Sequence, residues 1–519
     1  MAPMNYTSVL YYAFLAALIL LYYTVPDRAK WPVLLAGSLV FYRFLVGNTL
    51  MFAAFLLMIA ASYGFGLLIE RSSAKRSPAA EGSPAAEGSP VSKGAHVAKG
   101  SPASKGLLAA GILVTAAPLI AFKVSEFGSA HFANVAAHVP APFSSGKSLL
   151  LPIGASFFTL QMIAYLVDIY RGKISAQRNP LRYALFISFF PQIIQGPIPR
   201  YEQLGEQLFT PHKFDSRNLV RGFHLILWGF FLKFMIADKA GVVVDTVFGN
   251  AKMYKGVYVL VAGALYSIQL YADFQSCTTL SRGAAKCLGI DVINNFDHPY
   301  LATSIKDFWR RWHISLSTWL RDYVYIPAGG SRRGTFRKYL NLVLTFAVSG
   351  IWHGGSFKFL FWGLLHAFYQ ITGDFTMKAR DRVYELLRID RDSYLRHIFK
   401  SAGTFFLAMT AWIIFRAGSL RTALQMILSM FTVRNYWVLW DDSLLTLGLD
   451  WKEWSVLLHS IALLFVISLL QTKGSVSAWI LRQHIIVRWT VYIGAVLAVM
   501  LCGTYGFGYD AKAFIYGGF

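Results

Sequence analysis

Long apolar runs separated by short basic loops set the pattern of this chain. Stretches able to cross, or nearly cross, a hydrocarbon layer of about 30 Å lie at residues 7–24, 31–46, 49–69, 107–122, 149–169, 222–245, 256–272, 340–352, 357–372, 397–415, 454–471 and 488–506. Several are short or interrupted by polar residues. The pattern therefore predicts an all-α, polytopic membrane protein with about 10–13 transmembrane helices, some broken or re-entrant. The block 182–200 is the main candidate for a re-entrant detour, because Phe189-Phe-Pro-Gln-Ile-Ile-Gln-Gly-Pro-Ile-Pro199 cannot continue a helix. Backbone freed from helical bonding is tolerated at membrane depth only when protein or water covers it.

Composition agrees with this pattern: 55% of the 519 residues are hydrophobic, only 14% are charged, and the mean hydropathy is +0.47. An average soluble domain has roughly a quarter of its residues charged. The net charge of +23 does not require a nucleic-acid partner, since the basic residues sit in loops between apolar runs. Arg28 and Lys30 follow the first run, Arg71, Lys75 and Arg76 the third, and Arg171, Lys173 and Arg178 the fifth. Basic loops face the cytoplasm, so the amino terminus is expected outside. The first run lacks a basic leader and a small-residue cleavage site and reads as a retained helix. Cys277, Cys287 and Cys502 show neither disulfide nor metal-ligand spacing, and no metal site is expected. Residues 72–106 break the pattern: Ser77-Pro-Ala-Ala-Glu-Gly82 repeats as Ser83-Pro-Ala-Ala-Glu-Gly88 and then degrades. Such a segment buries too little apolar area to offset its ordering entropy and is expected to be a disordered loop.

Candidate chemistry concentrates at 294–330. Ile305, Phe308, Trp309, Trp312, Leu316 and Trp319 recur at three- and four-residue steps and give an aromatic helical face. One reading is an amphipathic anchor, with its tryptophans at headgroup level and its arginines on lipid phosphate. His313 speaks for a reaction site, because a titratable ring between Trp312 and Ser315, close to Asp307 and Asp322, adds nothing to an anchor. His353 follows in Ser349-Gly-Ile-Trp-His-Gly-Gly355, where the glycines imply a helix end inside apolar surroundings. An ionisable side chain at membrane depth is costly to keep and is by default a functional candidate. His366 reads as a structural core histidine. Lys233 and Asp238 lie five apart, so on an α-helix they flank each other without opposing. Asp168 and Asp273 are less specific candidates.

These blocks closely resemble the bacterial branch of the membrane-bound O-acyltransferase family, of the alginate O-acetyltransferase type, with the teichoic-acid D-alanyl transfer protein as a distant relative. The shared pattern reads here as Asn295-Phe296, Pro299-Tyr300, Asp307 to His313, Ser315-Leu316-Ser317, Trp319, Arg321-Asp322-Tyr323, Tyr325-Ile-Pro-Ala-Gly-Gly330 and Trp352-His353-Gly354. Leu151-Pro-Ile-Gly-Ala-Ser-Phe-Phe158 and Phe190-Pro-Gln-Ile-Ile-Gln-Gly-Pro197 extend it. The likeness covers roughly 1–70 and 107–430. Together with the apolar runs it divides the chain into N-terminal transmembrane helices at 1–70, a low-complexity loop at 71–106 that is not part of the family pattern, an acyltransferase core at 107–430 and C-terminal transmembrane helices at 431–519. The family commonly shows Ser-Gly-Tyr-Ser-Asp after the Asp-Phe pair, whereas this chain has Gln275-Ser-Cys-Thr-Thr279 and lacks the acidic residue at Thr279.

The resemblance implies a plasma-membrane enzyme whose helices surround a central funnel. His353 would be catalytic and His313 the second histidine. Lys306, Asp307, Trp309, Arg310, Arg311, Trp312, Ser317, Trp319, Arg321, Asp322, Trp352, Gly354 and Asn295 would line the path of substrate and donor. No bound cofactor is implied; the donor would be acetyl-coenzyme A or another acyl carrier. The partners would be the lipid bilayer, an extracytoplasmic acyltransferase or acyl-accepting protein, and a polysaccharide as final acceptor, with no nucleic acid. D-alanyl transfer to teichoic acid is the alternative within the enzyme class. A transporter for a glycan or lipid carrier is the alternative outside it, although no pair of matching interrupted spans is present in two halves.

Overall fold

A computed structural model describes residues 4–74, 102–131, 151–390 and 392–505. Among these residues every regular element is helical. Most of the low-complexity segment lies outside them, but the helices on either side run further than expected: α3 reaches Ala74 and α4 begins at Pro102. Residues 71–74 and 102–106, assigned from sequence to the loop, are therefore helical.

The chain forms two compact units, residues 1–194 with 198–214 and residues 195–197 with 215–519. The division falls inside the expected 107–430 core, and the expected C-terminal block at 431–519 belongs to the second unit. In the first unit, α1 (Val9–Thr24), α2 (Asp27–Val46), α3 (Thr49–Ala74), α4 (Pro102–His131) and α5 (Ala155–Tyr170) follow the apolar runs, and the short α6 (Pro180–Ser188) and α7 (Tyr201–Phe209) fall between runs. The predicted detour is irregular and buried from 189 to 194. Its freed backbone groups find partners, as they must. Tyr6 donates its hydroxyl to the Phe190 and Pro191 carbonyls at 3.0 and 2.8 Å, Gln161 donates to the Phe186 carbonyl at 2.7 Å, and the Phe190 amide donates to Ser38 Oγ at 3.2 Å.

In the second unit α8 (Ser216–Phe230) passes through a π-helical segment, Phe231–Ala237, into α9 (Asp238–Gly249). There follow α10 (Val257–Cys287), the short α11 (Ile305–Arg311) and α12 (Ile314–Leu320), a π turn at Arg321–Tyr325, α13 (Thr335–His353), α14 (Phe357–Phe375), α15 (Met377–Leu386), α16 (Tyr394–Arg416), α17 (Leu420–Thr432), α18 (Trp451–Gln471), α19 (Val476–Leu481) and α20 (Ile485–Cys502). Eight helical stretches among the described residues are long and apolar enough to cross a membrane, and α1 and α5 are shorter apolar helices.

The π segment corrects one expectation. In an α-helix, residues five apart point about 140° away from each other at 3.6 residues per turn. Here the Asp238 amide bonds to the Lys233 carbonyl, closing the wider π turn, and residues five apart come onto one side. Lys233 Nζ lies 3.0 Å from Asp238 and 2.8 Å from Asp273 of α10; Lys233 and Asp273 are buried and the Asp238 side chain is 9% exposed.

Candidate active site

His313 sits at the N-cap of α12 with φ 45° and ψ 54°, a left-handed conformation that costs a residue bearing Cβ about 1–2 kcal/mol. Asn295, fully buried, over-determines this bend. Its carbonyl accepts from the Ile314 amide at 2.9 Å and its Oδ1 from the Ser315 amide at 3.0 Å, satisfying two of the donors that a helix start leaves open. The Asp297 amide donates to the Arg311 carbonyl at 2.9 Å, so residues 295–297 run along the junction of α11 and α12. Ser317 closes the turn, its amide on the His313 carbonyl at 2.9 Å and its Oγ on the Trp312 carbonyl at 3.1 Å.

His353 is the last residue of α13; Gly354 beyond it is extended, at φ −174°. The break before α14 is made by close packing. A Cβ at Gly363 would run into the Phe346 carbonyl, one at Gly350 into the Phe359 carbonyl, and one at Gly354 into the Phe359 ring. The two helices approach so closely that α13 must end where its imidazole meets α14 and α16. The Trp352, Trp362 and Phe415 rings stand edge-on to His353 at 4.7, 5.1 and 5.4 Å between centroids. His313 takes the edge of Phe274 at 4.7 Å and lies 6.3 Å from Trp352. Trp352 is thus the ring that both imidazoles share. Both are closed over in this conformation, His313 at 1% and His353 at 3% exposure, and do not line an open funnel.

The structure brings His313, His353, Trp352, Trp309, Trp312, Asn295 and Gly354 into one aromatic region. The anchor reading of the tryptophans does not hold. Trp312 is buried against Phe296, Phe308 and Trp412 at 5.0, 5.4 and 5.0 Å, and Trp319 is buried beside Tyr323, so these rings fill the protein and do not lie at its surface. Lys306 and Arg310 are exposed, Arg311 is tied to Asp307 on its own helix at 3.0 Å, and Arg321 pairs with the adjacent Asp322 at 2.8 Å. These charges lie around the imidazoles' shell and not inside it. Thr279 is buried on α10, six residues beyond Asp273.

Sequence reasoning missed Phe274, Trp362, Trp412 and Phe415. His366 is buried, as the reading of a structural core histidine expects. In the structure His366 shares Trp362 with His353, at 4.9 Å, and its Nδ1 accepts from Trp309 Nε1 at 3.2 Å. The four-residue step from Trp362 to His366 is the one signal that put both on the same helix face. Among the described residues no group of three or more His, Cys, Asp or Glu side chains is placed to hold a metal ion.

Residues 154–384 match the MBOAT, membrane-bound O-acyltransferase family, profile, a range that contains both histidines. The probable alginate O-acetylase AlgI of Pseudomonas putida is 34% identical over 432 residues, covering 83% of this chain and 80% of that protein. The chain belongs to the membrane-bound O-acyltransferase family. It is therefore a multi-pass membrane O-acyltransferase, with acetyl the favoured acyl group, and the transporter reading falls. Within the family it is also similar to the peptidoglycan O-acetyltransferase of Helicobacter pylori, 35% identical over 54% of this chain and 57% of that protein. The teichoic acid D-alanyltransferase of Bacillus subtilis is more distant, 29% identical over 44% of this chain and 60% of its own length.

Proposed function

We propose that this enzyme passes acetyl groups from a cytoplasmic donor, acetyl-coenzyme A or another acyl carrier, across the membrane for O-acetylation of an exported or cell-envelope polysaccharide. The observation that carries the reading is the seat of His353: an imidazole at a helix end, walled by aromatic rings, with His313 6.3 Å from the same Trp352 ring. The names of the AlgI and peptidoglycan O-acetyltransferase relatives supply the acetyl group and the glycan acceptor.

Neutral His353 takes the proton of the acceptor hydroxyl as its oxygen attacks the acyl carbonyl. The new C–O ester bond forms, the bond to the carrier breaks, and the proton passes to the leaving group. Such base catalysis contributes about a hundred- to ten-thousand-fold in rate. The aromatic walls exclude the water that would hydrolyse the activated acyl group. Lys306 and Arg310, exposed on α11, attract the phosphates of an anionic carrier. An extracytoplasmic acyltransferase or acyl-accepting protein takes the acyl group on to the sugar.

The test is transfer of labelled acetyl by membranes holding His353→Ala, compared with the parent chain at equal expression. Transfer should fall at least a hundred-fold, and unchanged transfer overturns the catalytic assignment. Incorporation of labelled D-alanine in place of acetyl by the parent membranes overturns the choice of acyl group.

A further inference from the structure

Two cavities of the second unit lie away from the histidines, and their lining residues adjoin along α8, α19 and α20. The larger, of about 650 Å³, is walled by α8, α18, α19 and α20 through residues such as Trp228, Phe231, Leu463, Ile480 and Val491. Its lining is almost wholly apolar. The smaller, of about 440 Å³, lies one turn toward the start of α8 and of α20 and is lined by Arg217, Arg221, Arg482 and Arg488. His224 and Tyr492 mark the junction between them, their rings 5.1 Å apart, with His224 Nδ1 2.7 Å from Ser477 Oγ of α19.

Four guanidiniums in one cleft repel one another, and among the described residues no carboxylate pairs with any of them. Charges that stay ionised in a cluster call for an anion, and the fork of Arg matches phosphate oxygens two at a time. The position fixes which anion. α20 has 18 residues and is about 27 Å long, close to the thickness of a hydrocarbon layer. The four arginines therefore stand at headgroup level, and the apolar cavity runs from them into the depth of the bilayer. A free phosphate would occupy the arginine-lined cavity alone and leave the apolar one empty, whereas a diacyl glycerophospholipid reaches into both.

We infer that the α8–α19–α20 cleft is a binding site for an anionic phospholipid, its phosphate held by Arg217, Arg221, Arg482 and Arg488 and its acyl chains lying in the adjoining apolar cavity.

The experiment is retention of phosphatidylglycerol against phosphatidylcholine by the detergent-purified full chain, read by native mass spectrometry. The parent should retain phosphatidylglycerol selectively. Each basic residue near an anionic surface contributes about 1 kcal/mol. The pair Arg482→Gln, Arg488→Gln should therefore weaken that selectivity about 30-fold. The pair Arg482→Lys, Arg488→Lys should keep most of it, and Lys378→Gln with Arg382→Gln, removing two exposed charges on α15, should change nothing. Equal retention of the two lipids by the parent overturns the site, as does selectivity that survives the glutamine pair. So does displacement of the lipid by inorganic phosphate alone, which would assign the cleft to a free anion. If the glutamine pair does not fold, the parent decides: the preference should fall as NaCl rises from 50 to 500 mM, and a flat response overturns the inference.

Discussion

Replacing Lys233 with methionine should be among the most damaging single changes in the second unit outside the histidine region. The ammonium lies 2.8 Å from Asp273 and 3.0 Å from Asp238, and the three side chains are 4%, 2% and 9% exposed. Methionine fills the volume but leaves two carboxylates buried beside each other. Breaking a buried pair by removing one partner costs about 3–5 kcal/mol, much of it the uncompensated charge that remains. Unfolding entropy of about 2 cal/mol/K per residue over the roughly 300 residues of this unit gives about 0.6 kcal/mol per kelvin. The apparent Tm should therefore fall by roughly 5–8 °C. Thermal unfolding in detergent, followed by the monodisperse fraction after size exclusion, reads this directly. Asp273→Asn should cost less, because Asp238 still neutralises the ammonium, and the double variant should cost less than the two single changes added together, by about 1 kcal/mol or more. A fall of less than about 2 °C for Lys233→Met would refute the clamp. The clamp also bears on the proposed site: Asp273 fixes the register of α10, and the next residue, Phe274, sets its ring edge against His313 at 4.7 Å.

Three further outcomes follow from the site's geometry. At φ 45° a β-branched residue is more strained than glycine, so His313→Val should be less stable than His313→Gly by about 1–2 kcal/mol despite its larger side chain; the opposite order in a thermal melt would refute the bend. Gly363→Ala drives a Cβ into the Phe346 carbonyl and should destabilise by about 1–3 kcal/mol, whereas a neutral melt would show that α13 and α14 do not approach so closely. Trp352 is the partly exposed ring over the two imidazoles, while Phe274, Trp362 and Phe415 are buried, so Trp352→Ala should admit water; the ratio of free labelled acetate to transferred acetyl should rise several-fold and recover in Trp352→Phe, and an unchanged ratio would refute its role as a cover.

Much of the architecture was legible because the bilayer sets a length and a polarity that few side chains contradict. Each apolar run expected from the sequence coincides with a helix, and the break at 189–194 was readable because Pro191 removes a backbone donor whatever surrounds it. What escaped depends on partners remote in the chain. The Trp312 face has the same spacing whether it meets headgroups or Trp412, and only the arrival of α16, a hundred residues later, distinguishes the two. The pairing of Lys233 with Asp238 escaped for a local reason: five residues oppose only on a π turn, and the apolar run Phe230 to Ala237 carries no signal of one. The charged members of the motif are not neighbours of the imidazoles, since residues 306, 310 and 321 project to the outside of α11 and of the π turn while 308, 312 and 316 project inward.

The two histidines share a structural circumstance that suits the proposed chemistry. An imidazole in mid-helix is surrounded by backbone groups already bonded to one another, and a polar substrate would find no partner there. His313 begins a helix and His353 ends one, so the backbone beside each departs from helical bonding. Inside a membrane such breaks are unfavourable unless the protein satisfies them, which is why Asn295 is buried against the first and the glycine-lined approach of α14 encloses the second. The helices that make the chain lipid-soluble thus supply the proposed reaction site only at their interruptions. Substitutions that restore regular helix at either point should cost activity even where they add stability.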